Sequence, residues 1–317
     1  MRHSVSRFLI LSIDGGGIRG AFAARMVELI SRDYPLLQEV NLLAGTSTGS
    51  IIASCLALKF PPSRVVALYR ASGKAIFTKN FFFGPRILEK ALKSSYDKLR
   101  FKAILRQVFG KATLKDTDIP LCLPVTNLQK AGDQLFRSYT SDFPHLPLYE
   151  AVLASCSAPT FFDPSVVDGM LLADGGMWGN NPSLVAAGEA RRYFGQTLES
   201  LKVLSIGTGH FTNGFDENTR YWGLISGWKI RNLTEFISSV QSEGTNSLLE
   251  NIVGKERMLR LNFSQNELIR IDSFNELEPL IAKADVIYRK NRERILTFLS
   301  EDSSAVQHDR TFTGTAS

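Results

Sequence analysis

The chain has 317 residues, 44% of them hydrophobic, with three cysteines and a formal net charge of +6. That size and apolar content suffice for a substantial core in one large domain or two, while Cys55, Cys122 and Cys156 are too few and too scattered for a disulfide framework or a CxxC zinc site and point to a reducing cytosol. No stretch reaches the roughly 18 consecutive apolar residues of a membrane span, so bilayer contact is expected to be peripheral.

In chain order, FLILSI (8–13) is a continuous apolar run of six residues ending in Asp14 and three glycines. It reads as a strand buried on both faces, not as a signal peptide. Ile18, Phe22, Met26 and Ile30 then recur at four-residue steps, which predicts a helix with one apolar stripe. Val40–Ala44 is a second short strand, and SIIASCLALKF (50–60) a largely buried helix. From Lys74 to Lys115 eleven basic residues face two acidic ones, leaving the rest of the chain at −3, and Phe81–Phe83 lie inside this segment. Such a run is either a solvated helical face or a surface for anionic partners, phospholipid head groups or a nucleotide. Further strands are expected at 120–128, 135–140, 170–174 and 202–209, and helices at 148–158, 181–194 and 228–241. This alternation predicts an α/β fold with helices on both faces of a mostly parallel sheet. No linker interrupts residues 1–300, which are expected to form one domain with a basic helical cap inserted at about 74–118. Residues 301–317 read as a polar, disordered tail.

Gly45-Thr46-Ser47-Thr48-Gly49 spells GxSxG between a strand and a helix, the setting of a serine presented on a strained turn. Small flanking residues allow neighbouring chains to approach, and the following helix directs its positive end toward an anion at Ser47. Upstream, Gly15, Gly17 and Gly20 make a formal GxGxxG, but the second strand ends in Leu43-Ala44 and lacks the acid that a dinucleotide-binding unit places on the ribose. If the two strands are adjacent, the Gly15, Gly16 and Gly17 amides lie beside Ser47, where they can hold an oxyanion. Arg19 adds positive charge there or pairs with an acid. Two acceptors compete for the serine proton. The order Ser47, Asp174, His210 is that of an α/β-hydrolase triad; alternatively Asp174, closing an apolar run before Gly175-Gly176, takes the proton directly, helped by burial and proximity. A turn-starting aspartate is the structural alternative for Asp174.

DGGGIRG, GTSTGS and ADGG in this order, with ASCSAPTFFDP between the last two, resemble the blocks of the patatin-like phospholipases over about Leu9 to Gly209. The resemblance implies the patatin-like three-layer α/β/α fold and a lipid acyl hydrolase that needs no metal or other cofactor. It implies a Ser/Asp dyad with Ser47 as nucleophile, Asp174 as base, and Gly15, Gly16, Gly17 and Arg19 as the oxyanion loop. WGLISGW, and NNP after the DGG, look more like bacterial members, some of which are antiphage effectors switched on by cyclic nucleotides. Expected partners are therefore membrane phospholipid as substrate and a cyclic dinucleotide as activator, with no DNA or RNA polymer. The expected location is cytoplasmic, touching the inner membrane surface. A triad esterase and a non-catalytic lipid- or nucleotide-binding module are the competing readings.

Overall fold

The computed structural model describes residues 7–76, 94–211, 220–221, 230–265, 269–270 and 272–301. Phe81–Phe83, the middle of the basic segment, WGLISGW and the expected tail beyond Glu301 lie outside them. Among the described residues, the main sheet consists of β1 (Phe8–Ile13), β2 (Val40–Gly45), β3 (Leu121–Asn127), β4 (Gly132–Arg137), β5 (Ser165–Val167), β6 (Met170–Asp174), β7 (Leu201–Ile206) and β9 (Met258–Leu261). Its order is β5-β6-β3-β2-β1-β7-β9, with β4 paired to β3; β8 (His210–Phe211) and β10 (Ser264–Gln265) form a separate parallel ribbon.

Side-chain alternation explains the layers. Leu9, Leu11 and Ile13 of β1 join one apolar cluster, whereas Phe8 and Ile10 join another on the opposite face. Against the first face pack α1 (Gly20–Asp33), the short α2 (Leu36–Glu39), α3 (Thr48–Ala57), α4 (Pro62–Ile76), α5 (Lys98–Phe109), α6 (Leu148–Ser155) and α9 (Leu277–Ser300). Against the second pack α7 (Ser183–Phe194) and α8 (Ile230–Val253). The result is the expected helix–sheet–helix sandwich. None of the described helices is long and apolar enough to cross a membrane, and all three cysteines are buried and free.

β1, β2, β3, β7 and β9 run parallel, as expected. The expectation is refined at β6. β2 pairs with β3 only through Leu43 and Ala44, opposite Leu121 and Cys122, whereas β6 pairs antiparallel with Val125–Asn127 of the same strand. Because β4 occupies the other edge of β3 along its length, β2 and β6 share one edge, end to end. Asp174 thus descends toward the point where β2 stops and Ser47 begins.

Candidate active site

Ser47 caps α3 with φ 53° and ψ −124°, a conformation that costs an L residue about 1–3 kcal/mol and persists only where its surroundings dictate it. Here they do. A Cβ on Gly45 would fall 2.2 Å from the Gly49 carbonyl oxygen, and one on Gly49 would fall 2.3 Å from that of Ile13. The first turn of α3 is therefore pressed onto the ends of β1 and β2. The Ser47 amide donates to Ser155 Oγ at 3.1 Å, which donates to the Pro124 carbonyl at 2.8 Å, and Ser50 Oγ donates to the Ser47 carbonyl at 2.5 Å.

Asp174, 5% exposed, accepts from the Gly176 amide at 2.6 Å, and the Ser47 hydroxyl lies near enough to help hold its charge. Burial pushes its carboxyl up to about 6 from 3.8, against the lowering effect of those two donors. No imidazole stands among the groups that perturb it. His210 lies in the β8–β10 ribbon with Nε2 3.3 Å from Ser264 Oγ.

The glycine loop backs onto the serine, since a Cβ on Gly15 would lie 3.0 Å from Ser47 Cβ. The three glycines are not equivalent. The Gly15 amide donates to the Asn180 carbonyl at 3.1 Å and its carbonyl accepts from Thr208 Oγ1 at 2.5 Å, so its polar groups are committed. The Gly16 and Gly17 amides have no protein partner among the described residues, and Gly17 adopts φ 60°. Arg19 lies beside the loop but turns away from the serine. Its guanidinium donates to the Gly16 carbonyl at 3.2 Å and to the Ile269 carbonyl at 3.3 Å, and pairs with Glu235 of α8 at 2.8 Å. Of the two uses open to it in sequence, pairing with an acid is the one observed.

Several supporting residues carried no recognisable signal. Arg260 of β9 bonds both carboxylate oxygens of Asp14, at 2.8 and 2.6 Å, and reaches Ser205 Oγ at 2.8 Å, anchoring the base of the loop from a strand that sequence reading did not find. Asn180, in the NNP triplet, donates through Nδ2 to Ser242 Oγ at 3.0 Å and through its amide to Gln241 Oε1 at 3.0 Å. Cys156 packs 3.7 Å from Ser50 Oγ beside Ser47; burial pushes its thiol up, so it is an inert neighbour of the serine rather than a competing nucleophile.

Ser47 and Thr48 lie on the wall of a cleft. The remaining wall is almost wholly apolar, drawn from α4 (Leu68, Tyr69), α5 (Ile104, Leu105) and the loop carrying Phe161 and Phe162. Among the described residues no three His, Cys, Asp or Glu side chains gather in a way that could hold a metal ion. The arrangement is a strained serine beside a buried carboxylate, a glycine loop with two free amides against it and an apolar cleft opening from it. It suits attack on the ester of a long aliphatic acid.

The family model described as "Patatin-like phospholipase" matches residues 11–187. The chain is 28% identical to calcium-independent phospholipase A2-gamma of Oryctolagus cuniculus, aligning over 94% of this chain and 40% of that protein. It is 26% identical to a cGAMP-activated phospholipase of Pseudomonas aeruginosa, over 79% of this chain and 77% of that one. A cUMP-AMP-activated phospholipase of Escherichia coli is 28% identical over 63% of this chain and 64% of its own length. The chain thus spans about two fifths of the mammalian protein it matches.

Proposed function

This chain belongs to the patatin-like phospholipase family, and on that premise we propose that it is a phospholipase of the A type, cleaving acyl esters of membrane phospholipids. The observation that carries the reading is the placement of the strained Ser47 beside the buried Asp174 at the wall of an apolar cleft. The acyl chain lies in the cleft with its ester carbon against Ser47. Asp174 takes the hydroxyl proton as Ser47 Oγ forms its bond to that carbon, and the Gly16 and Gly17 amides receive the negative charge on the carbonyl oxygen. Collapse of the tetrahedral intermediate breaks the ester C–O bond, Asp174 returns the proton to the departing alcohol, and an acyl-Ser47 ester remains. Asp174 then deprotonates a water that attacks the acyl-enzyme, releasing the fatty acid and restoring Ser47. Gly15 and Arg19 act in this scheme by holding the loop.

We infer a single catalytic domain over residues 1–300, with the basic 74–118 segment as a cap that meets lipid, working at the inner face of the membrane. The bacterial relatives named as cyclic-nucleotide-activated support a second element of the reading: a cyclic dinucleotide switches the enzyme on. One assay tests both. Phospholipid vesicles are incubated with the protein, with and without cyclic dinucleotides, and Ser47 is probed with a fluorophosphonate. Fatty-acid release that disappears in Ser47→Ala and survives in His210→Ala is expected. Release abolished equally by His210→Ala would restore the triad, and an unlabelled serine in every condition would leave a binding module.

A further inference from the structure

α8 has two faces with different occupations. Its inner face braces the catalytic loops: Glu235 holds Arg19 at 2.8 Å, Gln241 bonds the Trp178 carbonyl and the Asn180 amide, and Ser242 bonds Asn180, whose carbonyl in turn takes the Gly15 amide. Its outer face is bare. The exposed positions between Ile237 and Ile252 are Ile237, Val240, Gly244, Ser247, Leu248, Asn251 and Ile252, and none carries a charge. Ile237, Val240, Leu248 and Ile252 are each about half exposed, at 55%, 56%, 58% and 47%. Together they present about 400 Å² of aliphatic surface, within the size range of patches that mark interaction sites on monomers.

We propose that this stripe is the interface of a twofold homodimer, formed by antiparallel packing of α8 against α8 of a second copy. Three features select that occupant. Val240, Gly244, Leu248 and Ile252 follow one another at four-residue steps, the ridge that interdigitates when two helices cross. The stripe is also nearly symmetric about Gly244: Val240 precedes it by four residues and Leu248 follows it by four. A twofold axis through Gly244 therefore sets Val240 against Leu248 of the partner subunit, which is the self-complementarity an isologous contact requires. Gly244 itself, inside a helix where glycine is unfavourable, has nothing among the described residues within 4 Å of where a Cβ would stand. Packing within the protomer gives no reason for a glycine there, whereas two crossing helix axes need one to approach closely.

A bilayer fits the stripe poorly. Glu235 lies at the level of the catalytic loops, while the Val253 carbonyl takes Arg257, which also reaches the Glu199 carbonyl just before β7 begins, at the opposite end of the strands. The stripe therefore runs alongside the sheet, and a membrane meeting the site would touch only one end of it. A standard interface buries about 800 Å² per partner; the aliphatic ridge supplies about half, and Ser247, Asn251 and Glu243 stand beside it. Dimerisation would clamp α8 and, through Glu235, Gln241 and Ser242, fix the glycine loop and the chain after Asp174. This coupling rests on the catalytic reading of Ser47 and Asp174; the dimer itself does not.

The test uses the full chain. Light scattering across a dilution series is expected to show a dimer that dissociates on dilution. A Gly244→Cys protein should form a disulfide-linked dimer under mild oxidation, since the native cysteines are buried, while Lys130→Cys, exposed elsewhere, should not. The Val240→Glu/Leu248→Glu protein, its fold checked by thermal melting, should be monomeric with several-fold lower turnover of a soluble short-chain ester. A wild-type monomer at every concentration, a dimer that survives the double substitution, or failure of Gly244→Cys to cross-link overturns the interface. Vesicle flotation of a monomeric wild type, lost in the double variant, overturns it in favour of lipid. Unchanged turnover in a monomeric variant overturns the coupling. Mass is read independently of catalysis, so a dimer that hydrolyses nothing counts against the enzyme assignment alone.

Discussion

At the scale of single residues, Asp174 carries two opposed demands as the proposed base. To accept a proton it must be ionised, and burial opposes ionisation, pushing its carboxyl up to about 6. Turnover should rise with pH through a midpoint near 6 and level off above it, and Asp174→Asn should lower it by about 10²–10⁴-fold. The same group has a stability signature of defined sign. Its folded-state value lies above the unfolded 3.8, so its favourable contribution is complete below 3.8 and is lost as pH rises through about 6. The gap corresponds to about 3 kcal/mol. Asp174→Asn should therefore melt higher than the wild type at pH 8, with the advantage shrinking toward pH 4; equal melting at both pH values would contradict burial as the cause. Ser47, Asp174 and the three glycines were legible because each sits in a short motif whose chemistry is local. Which glycine amide remains free was not legible, because that depends on the carbonyl of Asn180, 165 residues away from Gly15.

Among the elements, the strand-helix-strand-helix opening was readable from apolar periodicity, but the meeting of β2 and β6 on one edge of β3 was not. Periodicity reports which residues are buried and says nothing of strand order or direction. β5, with three residues, is too short to show alternation. The helical pattern expected to end at 241 continues through Gly244 to Val253; Glu235, which holds Arg19, already lies inside the expected span, and the extension adds Ser242, which bonds Asn180. Arg19 is 6% exposed and its partner Glu235 is similarly sheltered, so removing one member strands a charge. Arg19→Met should cost about 3–5 kcal/mol in chemical denaturation, while the Arg19→Met/Glu235→Met pair should recover much of that loss. If the pair acts only on stability, turnover will recover with it; if it positions the glycine loop, turnover will stay low in the refolded double variant.

For the molecule as a whole, the apolar cleft is assembled from α3, α4, α5 and the Phe161-Phe162 loop, so its length is set by packing between elements remote in sequence. Ile104→Trp should fill part of it. Esters of long fatty acids should then be hydrolysed about 10–100-fold less well relative to a butyrate ester, whose acyl chain occupies only the end nearest Ser47. Uniform loss across chain lengths would place the substrate elsewhere.

The end-to-end arrangement of β2 and β6 also imposes a schedule on the chain. The turn bearing Ser47 is complete within the first β-α-β-α unit, but its base is 127 residues further on and Arg260, which anchors the glycine loop, later still. At about 5–20 residues per second, roughly 10 to 40 seconds of translation separate Ser47 from Arg260. Throughout that interval the proposed nucleophile stands without the proposed base and without the strand that anchors its glycine loop, so on this reading the unfinished chain cannot yet cleave an ester.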